Sequence, residues 1–209
     1  MPSSRHTALG TGIRRNVVPF AELTGADLRL DCVYEGGTKG NAADDVIGKL
    51  LPVGNQGGFR VRGSIAQGKV SLIVLYTSGI ERDWPDILDP TTGDFTYYGD
   101  NRTAGADLHE TPRRGNQLLR VIFAASRGSL TDRQAVPPVF LFQNVGGRNV
   151  AFCGLLAPGS PRLSGDEELV ALWRTTGNRR FQNYRAHFTV LQNQWCQEAG
   201  STKSCPALL

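Results

Sequence analysis

The residue types best suited to chemistry gather in one stretch, from Tyr76 to Arg102. Asp83-Trp84-Pro85-Asp86 sets a large ring between two acids, and Tyr97-Tyr98-Gly99-Asp100-Asn101-Arg102 follows two adjacent rings with an acid, an amide and an arginine. A large aromatic beside carboxylates in an irregular segment between proline- and glycine-marked turns points to a site. Trp84 has a second reading, as an anchor that pins its loop to the body of the protein. The sequence leaves both open.

Several catalytic chemistries have no place here. A PD-(D/E)xK nuclease needs a carboxylate two residues before a lysine, so that both meet at a metal-bound water. The residues two positions before Lys39, Lys49, Lys69 and Lys203 are Gly37, Ile47, Gln67 and Ser201. His6, His109 and His187 are scattered, and Cys32, Cys153, Cys196 and Cys205 include no CxxC pair, which argues against a zinc centre. Neither a GxxxxGK[ST] phosphate loop nor a GxSxG elbow occurs. No metal or cofactor is expected. The enzymatic alternative that remains is a self-contained metal-dependent hydrolase built on Asp83, Asp86 and Asp100.

The elements that would position these residues are mostly short strands. At 209 residues, with 25 glycines and 11 prolines, the chain fits one turn-rich domain. Lys69–Tyr76, a run of aliphatic and β-branched residues between Gly68 and Gly79, predicts a core strand, and Asp94–Tyr98 predicts a second. Leu28–Tyr34 alternates in polarity like a strand, residues 42–51 read as a short helix ended by Pro52, and Glu167–Trp173 reads as another. The strongest helix starts near Asn116, taken as its cap, and ends at Gly128. Val139–Val145 and Asn149–Leu156 flank Gly146-Gly147 as a hairpin, and Phe181–Gln192 predicts a last strand. The expected fold is α+β but mainly β, a curled sheet or barrel with one main helix packed outside. Residues 1–195 form the domain and 196–209 a tail or linker.

The net charge is +4, and 19 of the 23 basic residues are arginines, which suits a polyanionic partner and equally a GC-rich coding sequence. No apolar run approaches the roughly 20 residues that span a bilayer, and the first residues lack the apolar core of a signal peptide, so a cytoplasmic protein with no membrane partner is expected. Cys32 and Cys153 sit in apolar strands, where a buried reduced thiol is usual.

The order of Tyr76-Thr77-Ser78-Gly79, an acidic connection, Phe95-Thr96-Tyr97-Tyr98-Gly99, a polar turn to Arg102 and then Gly115-Asn116-Gln117-Leu118-Leu119 resembles the SRA domain family of modified-cytosine readers. The stretches VYEGGTKGNAADD, LLPVGNQGGFR, DWPDILDPTTG, FTYYGDNR and LHETPRRGN are similar to the N-terminal recognition domain of AspBHI-type modification-dependent restriction endonucleases. The resemblance covers residues 15–125 and implies a reader without catalysis of its own. It would bind double-stranded DNA and flip out a modified cytosine, 5-methylcytosine or a relative, on behalf of a nuclease domain or subunit. It places the base-reading acid at Asp86 and one stacking ring at Tyr97. Trp84 is the choice for the opposing ring, and Asp100 with Tyr98 is the alternative pair should the pocket not lie at Asp86 and Tyr97. Cytosine N4 is a donor, so an ionised carboxylate suits it, and stacking contributes about 1–3 kcal/mol per base.

Two departures leave alternatives. The family's loop often reads GGYEDD, with a tyrosine three residues before the acid, whereas Trp84 stands two before Asp86, so Asp83 is a second candidate acid. The GGRD turn has become Gly99-Asp100-Asn101-Arg102, which makes Asp100 a third. Asn55 and Gln56, in a glycine-rich loop, are candidates to fill the space left by a flipped base. Arg60, Arg62, Arg102, Arg113 and Arg114, with Asn101, are the candidate DNA contacts.

Overall fold

The computed structural model describes residues 16–55, 57–176 and 178–191. In chain order the elements are β1 (Val17–Val18), β2 (Val33–Tyr34), α1 (Ile47–Leu50), β3 (Phe59–Ser64), β4 (Lys69–Thr77), β5 (Ile87–Leu88), β6 (Asp94–Tyr98), α2 (Gly115–Ser126), α3 (Leu130–Gln134), β7 (Val139–Gly146), β8 (Asn149–Pro158), β9 (Leu169–Thr176) and β10 (Arg179–Leu191). All ten strands join one sheet, ordered β3-β4-β7-β8-β10-β6-β5, with β2 on β8, β1 on β2 and β9 on β10. Among the described residues the sheet stays open, because β3 and β5 end the order without pairing to each other. Fold class is therefore α+β and mainly β, as expected, with an open sheet in place of a barrel.

The uninterrupted apolar run of β4 reflects burial on both faces. Ile73 and Leu75 join a core with Phe95, Phe188, Leu141 and the buried face of α2. Val74 turns the other way, into a core with Tyr34, Ile47, Phe142 and Phe152. Leu118, Leu119, Ile122 and Phe123 form the buried stripe of α2 at helical spacing, and Phe123 meets Phe188 edge-on with centroids 5.0 Å apart. β4 and β7 are parallel, so the chain between them must cross over. That crossover carries β5, β6, α2 and the acidic loop.

Three expected elements differ. Glu167–Trp173 is not a helix: from Leu169 onward the chain pairs with β10 over eight rungs, while Glu168 binds Arg127 and Glu167 binds Ser164. The helix expected over 42–51 breaks into a 3-10 turn (Ala42–Asp44) and α1, since Asp45 is extended and its carboxylate turns to the Gly48 amide and to Arg60. The strand expected over Leu28–Tyr34 shrinks to β2, because Asp31 is left-handed (φ 56°) and interrupts it. Cys32 is buried and Cys153 half-buried, while His6, Cys196, Cys205 and the expected tail lie outside the described residues. Among the described residues no helix is long and apolar enough to cross a membrane.

Candidate functional site

A cavity of about 470 Å³ opens where the ends of β4 and β6 meet the acidic loop and the segment before α2. Its wall is continuous in chemistry. Phe59, Tyr76 and Tyr97 are its aromatic lining residues, with the Tyr76 ring turned toward the second core, Glu81, Asp86 and Asp100 its acidic ones, and Arg102 and Arg113 its cations. A cavity of this size with a few polar groups on an apolar wall is a usual ligand site.

Asp86 sits just before β5, whose pairing with β6 carries the loop back onto the sheet. Its Oδ1 accepts the Tyr98 amide at 2.9 Å. Burial pushes its carboxyl up to about 6; that amide, the charge of Arg102 and the Thr77 hydroxyl pull it back in part, and Glu81 adds to the rise. Tyr97 lies on the same side, buried, with its ring centroid 6.2 Å from that of Phe59 and 6.1 Å from that of Phe95. Burial first, then the charge of Asp86, hold its hydroxyl well above the usual tyrosine range. The pair thus sets a buried aromatic ring beside a carboxyl that is only partly solvated.

Asp100 faces the same cavity but is spoken for. Its carboxylate accepts the Thr111 hydroxyl and the Gly115 and Asn116 amides at 2.8–2.9 Å, which caps α2 from a distant turn. Asn116 is therefore not the cap. Its side chain is buried and runs between the Leu108 carbonyl, Asn183 and the Asp100 amide. Gly99 and Gly115 admit this packing: a β-carbon at Gly99 would lie 1.7 Å from the Asn116 amide oxygen, and one at Gly115 would lie 2.7 Å from the Asp100 carboxyl carbon. Asn101, expected to touch DNA, is buried as well and donates to the Gln182 carbonyl at 2.8 Å. It is scaffold for the turn.

Trp84 is outside the cavity, contrary to its expected place there. It is 2% exposed and packs with Tyr98 (5.4 Å between centroids) and Phe181 (5.7 Å) on the opposite side of β6. The Arg174 guanidinium lies 4.9 Å from each of the Trp84 and Tyr98 centroids, donates to the Tyr98 hydroxyl and binds the Asp83 carbonyl. Strand alternation explains the split: Tyr97 faces the cavity, so Tyr98 cannot. Asp83 is exposed on this outer side. Asp83, Asp86 and Asp100 consequently do not converge, and among the described residues no cluster of three or more potential metal ligands occurs.

The candidate DNA contacts divide in the same way. Arg60 is 5% exposed, paired with Asp45 at 2.7 Å and bonded to the Gly57 carbonyl, so it braces the Gly57 turn instead of facing solvent. Arg62, Arg102, Arg113, Arg114 and Asn55 are exposed. Arg113 reaches the glycine-rich loop, its Nη1 lying 3.1 Å from where a β-carbon on Gly57 would stand. Arg114 is left-handed (φ 54°) and precedes α2. Gln56 lies outside the described residues.

Sequence reasoning missed Phe59, Tyr76 and Glu81. Tyr76 was legible as the aromatic end of an otherwise aliphatic strand, half-buried and bonded through its hydroxyl to Asn144 at 3.1 Å. It also walls a smaller cavity of about 270 Å³ on its far side.

The family model described as Restriction endonuclease AspBHI N-terminal matches residues 28–200. The DNA recognition domain of the cytosine modification-dependent restriction endonuclease LpnPI superposes with a TM-score of 0.80 at 46% identity, over 85% of this chain and 79% of that one. The DNA modification-dependent restriction endonuclease AspBHI does so with a TM-score of 0.78 at 44% identity, over 92% of this chain and 51% of its own, so this chain spans about half its length. No curated protein matches.

Proposed function

Because the chain belongs to the restriction endonuclease AspBHI N-terminal family, we propose that it is the DNA-binding specificity module of a modification-dependent restriction endonuclease, whose nuclease is another domain or subunit. The mark it reads is a modified cytosine flipped from the duplex into the 470 Å³ cavity. The observation that carries this is the meeting of Asp86 and Tyr97 at one wall, with exposed Arg102 and Arg113 at its edge.

Each group has a distinct task. Tyr97 stacks on the extruded ring, and Trp84, on the other side of β6, is not the opposing aromatic. Asp86 accepts the cytosine N4 hydrogen bond; its other oxygen stays fixed by the Tyr98 amide, which sets the direction of the acceptor. Asp100 orients α2 and the Pro112-Arg113 segment, and Arg102, Arg113 and Arg114 meet phosphates. Phosphate contacts hold the protein on any duplex and carry no sequence information, whereas the cavity contacts form only with the flipped base.

The test is binding of the chain to a 5-methylcytosine duplex and to its unmodified counterpart. Preference for the modified duplex is expected, and Asp86→Ala should remove most of it, about 1–3 kcal/mol for a lost base-edge contact. Equal binding of both duplexes by the unaltered protein would sink the reading.

A further inference from the structure

Trp173, Arg179 and Arg180, toward the outer end of the β9–β10 hairpin, have no role in the core or the cavity described so far. From Leu169 to Leu191 the hairpin carries four arginines, Arg174, Arg179, Arg180 and Arg185, and no aspartate or glutamate. Arg179 and Arg180 are exposed, and neither belongs to an ion pair among the described residues. Trp173 is 53% exposed, and the Arg180 guanidinium lies 5.0 Å from its ring centroid. A large ring left in solvent with an arginine laid across it is not explained by the core.

Topology says where this pair stands. β10 pairs with β6 only from Arg185 to Thr189, while its first residues pair with β9 alone, from Arg179 opposite Thr176 onward. The end of the hairpin is thus a two-stranded ribbon leaving the sheet. It leaves beside the cavity: Gln182, opposite Trp173, accepts from Asn101, the residue before the cavity-lining Arg102. Ala186 is opposite Tyr97, so by alternation Tyr184, Gln182 and Arg180 share the face of the sheet that carries Tyr97. Arg179 takes the other face.

We propose that this ribbon is a second DNA-binding element, lying in a groove of the duplex beside the flipped base with Arg179 and Arg180 on phosphates of its two walls, and that Trp173 is a positioning residue for Arg180. The inference rests on the DNA-reader assignment above. A two-stranded β-ribbon fits the major groove, and an arginine on each face of the ribbon matches a phosphate backbone on each side of it. Stacking on Trp173 limits the freedom of Arg180 before binding, so less order is lost on contact.

The measurement is the salt dependence of affinity for the modified and unmodified duplexes, using the whole chain at about 50 to 200 mM salt. The double variant Arg179→Ala/Arg180→Ala should weaken both complexes by a similar factor, on the order of tenfold, and reduce the slope of log affinity against log salt by about 2, leaving preference for the modified base in place. Trp173→Ala should weaken binding and Trp173→Phe should restore it, with circular dichroism unchanged. Arg162→Ala, at the far end of β6 where Arg162 binds Asp94, should leave the slope as it was. A double variant that keeps the full slope, or an Arg162 variant that loses as much, overturns the ribbon contact. A wild-type chain without preference between duplexes removes the base-reading assignment instead, and the slope comparison still decides the ribbon.

Discussion

Tyr97 and Tyr98 are neighbours in one strand, yet the regions they enter obey different rules. Tyr98 joins Trp84, Phe181 and Arg174 in a cluster where rings pack at a tilt and the guanidinium finds a hydroxyl and a carbonyl. Tyr97 looks into a cavity where Asp86 keeps one bonded oxygen and a carboxyl pushed up to about 6. The first region is packed on itself, although the Trp84 indole N–H is buried there without a hydrogen-bond partner among the described residues. The second holds a carboxylate under conditions unfavourable to its charge, which is how groups kept for function are often found. The Tyr98 amide joins them, since the strand that seats the outer cluster also aims Asp86.

The sharpest way to break this contrast is to empty the outer cluster. Trp84→Ala removes a 2%-exposed ring and should cost about 3–5 kcal/mol in chemical denaturation, a large part of a typical domain's total stability. Trp84→Phe retains a ring that still packs on Tyr98, and it should keep preference for modified DNA once measured on folded protein. Loss of that preference by a folded Trp84→Phe protein would return the ring to the base-reading site and erase the distinction between the two sides.

The sequence was informative where a single strong pattern governed and silent where distant residues decided. The apolar run of β4, the ring-rich β6 and the helical spacing of α2 were legible because each depends on local periodicity. β9 was not, since Glu167 and Glu168 ahead of a short apolar run imitate a helix start, and only the partner strand 13 residues long settles the pairing. Asp86 and Tyr97 were reached through the order of their motifs, and both line the one cavity. Trp84 was misplaced because a loop has no periodicity to say which side of β6 it will cover. Arg60 and Asn116 failed for a related reason: the first is claimed by Asp45, and the second yields its expected capping role to Asp100, contacts that no spacing announces.

Asp86 supplies a test with a definite sign. Its carboxyl is raised from an ordinary 3.8 to about 6 in the folded protein, so the fold binds that proton more tightly than the unfolded chain does. The associated stability is fully present below about pH 4 and is lost as pH rises through about 6. At neutral pH the ionised group therefore opposes folding by about 2–3 kcal/mol. Asp86→Asn keeps an oxygen for the Tyr98 amide and removes the charge, and should raise the unfolding midpoint at pH 7.5 while making little difference at pH 3.5. A variant no more stable than the parent at neutral pH would place Asp86 in a well-solvated setting like that of an ordinary surface acid. The contrast with the outer cluster would then rest on packing alone.

The smallest expected effect concerns Arg102, whose charge draws the Asp86 carboxyl downward against its burial. Arg102 is exposed, so much of its field is screened by water and salt. Arg102→Gln should raise the Asp86 value further, as followed by the carboxyl carbon shift in an NMR titration. The change should be visible at low ionic strength and should fade toward about 1 M salt, where the screening length falls to about 3 Å. A duplex phosphate that takes up Arg102 would act in the same direction as the substitution, because it diverts the cation from Asp86. Binding unmodified DNA should therefore raise the Asp86 value in both proteins through the phosphate charge itself, and by more in the parent, where it also diverts Arg102. If the substitution produces no shift even at low salt, Arg102 has no electrical contact with the cavity, and its part in binding reduces to holding phosphate.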